Sequence, residues 1–79
     1  MLTVYSIQSI SSPERYYIGI TDDVARRLKK HNNGECPHTS KYAPWKLIVS
    51  INFVDEKKAK AFEKYLKSGS GRAFAKKHF

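Results

Sequence analysis

Acidic residues are scarce in this chain: seven Asp and Glu stand against fifteen Lys and Arg among 79 residues, for a net charge of +8. So few acids argue against an acidic-tail or cation-storage role, and the positive excess points to a polyanionic partner, with nucleic acid first. Cysteine is nearly absent. Cys36 alone can build neither an intramolecular disulfide nor a cysteine-based zinc knuckle, and a lone thiol suits a reducing cytoplasm. No apolar run nears the ~18 residues of a membrane span, and Met1 to Ile10 lack the basic-then-apolar order of a signal peptide. A soluble, unprocessed cytoplasmic chain with no membrane partner is therefore expected. No internal repeat, glycine-rich phosphate loop or Ser/His/Asp order is present. The length gives room for one domain over residues 1–79, burying roughly 60% of the surface its unfolded chain exposes, and excludes a two-domain enzyme.

What is present reads as alternating short elements. Thr3 to Ser9 and Arg15 to Ile20 are rich in β-branched and aromatic residues and flank a Ser11-Ser12-Pro13-Glu14 turn, which predicts a hairpin. Tyr16, Ile18 and Ile20 share one parity, so Tyr17 and Gly19 point to the other face. Thr21, Asp22 and Asp23 supply cap oxygens for a helix to about Asn32, ended by Asn33-Gly34. Its buried stripe is expected to be Val24, Ala25 and Leu28, with Arg27 and His31 at the border and Arg26, Lys29 and Lys30 opposite. Glu35 to Ala43 reads as loop and Trp45 to Phe53 as a third strand. Asp55 caps a second helix to about Ser68, with Ala59, Phe62 and Leu66 as its stripe and Glu63 at the edge. Gly69-Ser70-Gly71 is expected to break the chain before a basic helix over Arg72 to Phe79 that carries Phe74, with Phe79 as a further candidate, to the core. The fold class is α+β: a three-stranded antiparallel sheet flanked by helices, in the order ββαβαα.

Of the seven acids, six have structural explanations at caps, turns or loops, and only Glu63 has none. A mid-helix acid among Lys60, Lys64 and Lys67 serves either as an i,i+4 partner of Lys67 or as a single carboxylate ligand for a hard divalent cation, with water and phosphate oxygens filling the octahedron. Arg27 and His31, one turn apart, form either a paired cationic and proton-handling face or an ordinary amphipathic border. Cys36 has His38 nearby but no clear partner that would make it a nucleophile.

Thr3-Val4-Tyr5 and Tyr17-Ile18-Gly19, followed by Arg27, His31 and Glu63, resemble the GIY-YIG nuclease superfamily over about residues 3 to 68. The resemblance is greatest to small stand-alone members, through His38-Thr39, Lys41-Tyr42, Pro44-Trp45-Lys46-Leu47, and the Glu63-Lys64-Tyr65-Leu66-Lys67-Ser68, Gly71-Arg72 and Phe74 tail. It implies a divalent-metal-dependent DNA endonuclease using Mg²⁺ or Mn²⁺. Carried over residue by residue, Tyr5 orients or deprotonates water, Tyr17 is its companion, Arg27 binds the scissile phosphate, His31 assists proton transfer and Glu63 holds the metal. Gly19 would allow backbone or substrate to approach closely. A free tyrosine titrates near ~10, so Tyr5 as a base needs positive charge from the metal or His31 to lower that value. Trp45 and Pro44 fit core and strand-entry roles. Thr3 replaces the first motif glycine, and Ile20 stands where repair-type members carry a basic residue, which removes one phosphate contact.

Binding to DNA is expected through Arg26, Lys30, Lys41, Lys46 and Lys67, with affinity that falls steeply as salt rises. Larger members append target-recognition modules for which 79 residues have no room, so cutting of low sequence specificity is expected, structure-selective in repair or recombination. A partner or a homodimer stays open as the source of substrate choice. Two competing functions are a non-catalytic basic nucleic-acid-binding module and a small adaptor that docks an acidic protein.

Overall fold

The computed structural model describes Met1–Phe79. Strands β1 (Leu2–Ser9), β2 (Tyr16–Thr21) and β3 (Trp45–Phe53) form one antiparallel sheet in the order β2-β1-β3. Around it lie α1 (Val24–Asn32), α2 (Pro37–Ser40), α3 (Glu56–Leu66) and α4 (Gly69–His78). This is the expected α+β arrangement with one four-residue helix, α2, added inside the segment read as loop. Pro37 sits in the first turn of α2, where a missing N–H costs nothing, so the residue taken as loop punctuation starts a helix instead.

β1 is the middle strand and is covered on both sides. Val4 packs with Ala59 and Leu66 of α3 and with Phe74 of α4, whereas Tyr5 and Ile7 pack with Trp45, Tyr17 and the α1 residues Val24 and Leu28. Period-two alternation thus sends neighbouring residues of one strand into two different clusters. Val4, Ile7 and Leu66 are essentially fully buried, and each contributes about 1.5–3 kcal/mol relative to exposure. Tyr17 points away from the Ile18 and Ile20 face, as its parity predicts, and helps to build the second cluster. No helix is long and apolar enough to cross a membrane.

α1 differs from expectation in a way that matters for the site. Asp23 accepts from the Arg26 N–H at 3.0 Å and Thr21 Oγ1 accepts from the Asp23 N–H at 3.1 Å, so these two cap the helix. Asp22 pairs instead with the Arg26 guanidinium at 2.8 Å. Ala25 is exposed and His31 is completely buried. At 100° per residue, including His31 with Val24 and Leu28 moves the centre of the buried stripe away from Ala25 and toward Arg27. Gly34, at φ +74°, supplies the left-handed residue just beyond the Asn33 cap.

The Gly69-Ser70-Gly71 segment is not a break. Ser68 Oγ accepts from the Gly71 N–H at 3.2 Å and opens α4 at Gly69. Gly71 is buried where α4 meets the end of α3, and a side chain there would collide with the Tyr65 carbonyl. The glycine serves close helix approach rather than chain reversal.

Candidate active site

Tyr5, on the middle strand, and His31, in the last turn of α1, are among the most deeply buried side chains of the molecule. The Tyr5 hydroxyl lies 2.8 Å from His31 Nε2 and accepts from Arg27 Nε at 3.4 Å. On the far side of the imidazole, Nδ1 lies 2.7 Å from Thr39 Oγ1, and that hydroxyl lies 3.3 Å from the Cys36 carbonyl. The Tyr5 ring reaches this position because its register partner across β1 and β2 is Gly19, where any side chain would run into the ring and hydroxyl. The group that approaches Gly19 closely is therefore Tyr5 itself, not substrate.

Donor and acceptor counting assigns the direction of this chain. If His31 carried its proton on Nε2, the Tyr5 oxygen would accept from both His31 and Arg27, and its own buried O–H would have no acceptor. With the proton on Nδ1, every group is satisfied: Arg27 Nε–H donates to Tyr5, Tyr5 O–H to His31 Nε2, His31 Nδ1–H to Thr39, and Thr39 O–H to the Cys36 carbonyl. No buried side-chain polar atom in the molecule lacks a partner. Burial raises the pKa of Tyr5 and outweighs the lowering by the Arg27 hydrogen bond. Burial, and then the Arg27 charge, lowers that of His31. His31 is accordingly a neutral acceptor and not the positive charge expected to depress Tyr5.

Arg27 is half-buried and has no acid partner, since the two ion pairs of the molecule are Arg26–Asp22 and Lys67–Glu63. Its hydrogen bond to Tyr5 raises its already high pKa, against a lowering by burial. Nε is engaged with Tyr5 and the Tyr17 hydroxyl also contributes to the raised pKa, while the guanidinium has further N–H donors to offer an anion. Tyr17, half-buried, has its ring centroid 5.0 Å from that of His31 and 6.4 Å from that of Tyr5.

Glu63 joins this group through an intermediary. Its carboxylate lies 2.7 Å from Lys67 Nζ, which in turn sits 5.9 Å from the centroid of the Tyr17 ring. The carboxylate is thus no further from that ring than these two distances end to end. Its side chain is 19% exposed, so the acid is sheltered yet reachable. The helical partnership with Lys67, one of the two readings open from sequence, is realised. No cluster of three or more His, Cys, Asp or Glu exists. One hard carboxylate fits Mg²⁺ or Mn²⁺ held jointly with phosphate and water oxygens, and does not fit a metal enclosed by protein alone.

Of the expected phosphate contacts, Lys67 alone is tied to the tyrosine group. Arg26 is drawn to Asp22, Lys30 and Lys46 are exposed, and Lys41 lies 5.8 Å from the Tyr42 ring centroid. Trp45 is buried as expected, and its Nε1–H donates to the Thr39 carbonyl at 2.9 Å. Sequence reasoning missed Thr39 as the residue that holds His31. It also missed Asn32, whose Nδ2 donates to the Trp45 carbonyl at 3.2 Å while its Oδ1 accepts from the Trp45 N–H. The signal available for Thr39 was its place directly after His38 in a Pro-started turn.

The family model described as the GIY-YIG catalytic domain matches residues 1–77. The structure-specific endonuclease subunit SLX1 of Debaryomyces hansenii is 37% identical over 67 residues, 76% of this chain and 19% of that protein. SLX1 of Meyerozyma guilliermondii is 40% identical over 67 residues, 76% of this chain and 22% of that protein. A UPF0213 protein of Streptococcus pneumoniae is 42% identical over 53 residues, 66% of this chain and 54% of that protein. The matched region spans about a fifth of these SLX1 proteins.

Proposed function

The chain belongs to the GIY-YIG family, and from that premise we propose that it is a divalent-metal-dependent endonuclease that hydrolyses DNA phosphodiester bonds with low sequence specificity, selecting substrates by structure in repair or recombination. The observation that carries this reading is Arg27: a half-buried cation without an acid partner, tethered by Nε to a buried Tyr5–His31 hydrogen bond. A guanidinium held in place by a buried hydroxyl, with no carboxylate to neutralise it, is suited to receive an anion. The names of the SLX1 relatives, structure-specific endonuclease subunits, support the same substrate class.

Hydrolysis needs a positioned water, stabilisation of added negative charge and a destination for the water's proton. The Nη groups of Arg27 would take two nonbridging phosphate oxygens in a bidentate contact. Tyr5 is 1% exposed, so water would have to reach its oxygen from beside Arg27, the part-exposed partner of that hydroxyl. Tyr5 would accept the water's proton as its own passes to His31 Nε2, while Thr39 holds the other ring nitrogen. Tyr17 walls the same cleft and, against His31, keeps bulk water from the relay. Glu63 would hold Mg²⁺ or Mn²⁺, which when bound supplies Lewis-acid stabilisation of charge on the phosphate and the departing oxygen. Arg26, Lys30, Lys41, Lys46 and Lys67 would contribute phosphate contacts that carry no sequence information.

The test incubates purified protein with linear, nicked and branched DNA, in Mg²⁺ or Mn²⁺ and in chelator, alongside Glu63→Ala. Metal-dependent cutting by the wild type alone is expected. Equal cutting by both proteins removes the assignment, and retention of DNA without cutting in every metal condition replaces it with a binding module.

A further inference from the structure

A groove of 770 Å³ runs along the sheet face opposite Tyr5, between the β1–β2 hairpin and α4. Its floor is Ser6, Ile18 and Leu66. One wall is the helical face made by Arg72, Ala75, Lys76 and Phe79, which recur at i, i+3, i+4 and i+7. The hairpin side of the lining carries Tyr16, exposed to 61%, and the helix side carries Phe79, exposed to 36% with its ring edge-on to Phe74. The Tyr16 ring is held in place by its hydroxyl, which accepts from Gln8 Nε2 at 3.1 Å, while the same nitrogen donates to the Pro13 carbonyl at 2.8 Å. Arg72 and Lys76 have no acid partner, and Glu14 is the only acid on the lining. Tyr17 and Lys67 also line the groove, and the same two residues meet beside the Tyr5–His31 group, where Lys67 Nζ lies 5.9 Å from the Tyr17 ring centroid.

We propose that this groove binds a single strand of DNA, the unpaired arm of a branched substrate, whose phosphates lie on Arg72 and Lys76 and whose bases stack on Tyr16 and Phe79. Cations spaced one helical turn apart follow a backbone, and exposed rings facing a narrow groove receive bases only when those bases are unpaired. A duplex, whose bases are stacked inside, has nothing to offer Tyr16. Because Tyr17 and Lys67 line the groove and also border the Tyr5–His31 group, a strand lying in it passes to the cleft at the junction where pairing begins. This continuation into the cleft rests on the nuclease reading, whereas occupancy of the groove does not.

The experiment measures binding of fluorescein-labelled oligo(dT) and of a blunt duplex by anisotropy across a salt series, with Arg72→Ala/Lys76→Ala and Tyr16→Ala, each checked for an unchanged circular dichroism spectrum and melting temperature. The double variant is expected to bind oligo(dT) more weakly and to lose about 1.4 from the slope of log K against log salt, two contacts at ~0.7 each. Tyr16→Ala is expected to weaken oligo(dT) binding roughly five- to a hundredfold with the slope unchanged, and blunt duplex binding hardly at all. Wild-type affinity and slope in both variants overturn the groove, as does equal weakening of duplex and single strand by Tyr16→Ala. Tighter binding of oligo(U) than oligo(dT) overturns the choice of DNA, and full displacement by polyglutamate overturns nucleic acid altogether. Cutting of a splayed duplex is followed in parallel. Wild-type cutting with unaltered binding in the variants sinks the groove alone, and loss of binding in the variants with no cutting by wild type sinks the nuclease reading alone.

Discussion

Replacing Thr39 by Val tests whether the proton chain through Tyr5 runs in the direction assigned by hydrogen-bond counting. Valine keeps the branched shape of the buried side chain and removes only the hydroxyl that accepts from His31 Nδ1 at 2.7 Å. His31 is fully buried, so its Nδ1–H is left without an acceptor, at about 1–3 kcal/mol. For a domain of this size that corresponds to a melting temperature lower by about 5–20 °C. With no acceptor left at Nδ1, nothing favours that tautomer any longer, and in molecules that carry the proton on Nε2 the Tyr5 oxygen accepts from His31 as well as from Arg27. Tyr5 is left with no acceptor for its proton, and cleavage slows by about a hundredfold or more. Ring-nitrogen NMR reports the tautomer directly, plasmid nicking reports the rate, and Thr39→Ser, which restores the acceptor, is expected to recover both. A Thr39→Val protein that keeps the Nδ1–H tautomer and nicks at the wild-type rate refutes the reasoning.

Tyr5→Phe removes the hydroxyl shared by Arg27 and His31 and is expected to lower the cleavage rate by about 10²–10⁴ while DNA affinity, read by anisotropy, stays near wild type. A rate within a few-fold of wild type contradicts a role in proton transfer. Cleavage is expected to keep its neutral-pH rate down past the ordinary histidine value of about 6.5, because burial and Arg27 lower the pKa of His31, and to fall only below it. The same shift means that folding stability is undiminished above the unfolded value and declines as pH drops through it, since the unfolded chain takes up a proton that buried His31 resists. An acid limb above the ordinary value, seen in a pH series of rates and melts, rules out neutral His31 as the acceptor. Gly71→Ala forces a methyl against the Tyr65 carbonyl and is expected to cost about 1–3 kcal/mol in urea unfolding, with Gly69→Ala, where nothing is near, close to neutral. Equal effects at the two positions refute the close-approach account.

The order of all elements but the short α2 was legible from local cues: β-branched runs on either side of Pro13, Asp23 and Asp55 at caps, and Gly34 after α1. The parity of Tyr17 was legible for the same reason, since period two is a property of any strand. Contacts that depend on two distant segments were not legible. His31 looks polar, so a helical wheel sets it at a border, yet Thr39 and Tyr5 satisfy both its nitrogens and let it enter the core in place of Ala25. The Gly-Ser-Gly segment looks like a break because glycine disfavours helix, but Ser68 caps it and the packing of α4 on α3 needs the missing side chain. The aromatic and cationic face of α4 was hidden likewise. Its residues match an ordinary basic helix until the hairpin is seen to stand opposite.

The opposed displacements of Tyr5 and His31 bear on which group serves as the base. A tyrosine at or above its ordinary pKa of ~10 is ionised in fewer than about one molecule in a thousand at neutral pH, and burial makes that fraction smaller here. Tyr5 acting as a preformed tyrosinate would therefore leave nearly every molecule idle. A relay avoids this. In the proposed mechanism the phenol would take the water's proton as it gives its own to His31, so that no full charge would rest on Tyr5 and the effective base would be an imidazole whose pKa burial lowers. Arg27, bonded to the same hydroxyl, would stabilise negative charge that develops on that oxygen during the exchange. A depressed tyrosine pKa, the condition set from sequence, would then be unnecessary, and the condition would pass to the Nδ1–H that Thr39 holds in place.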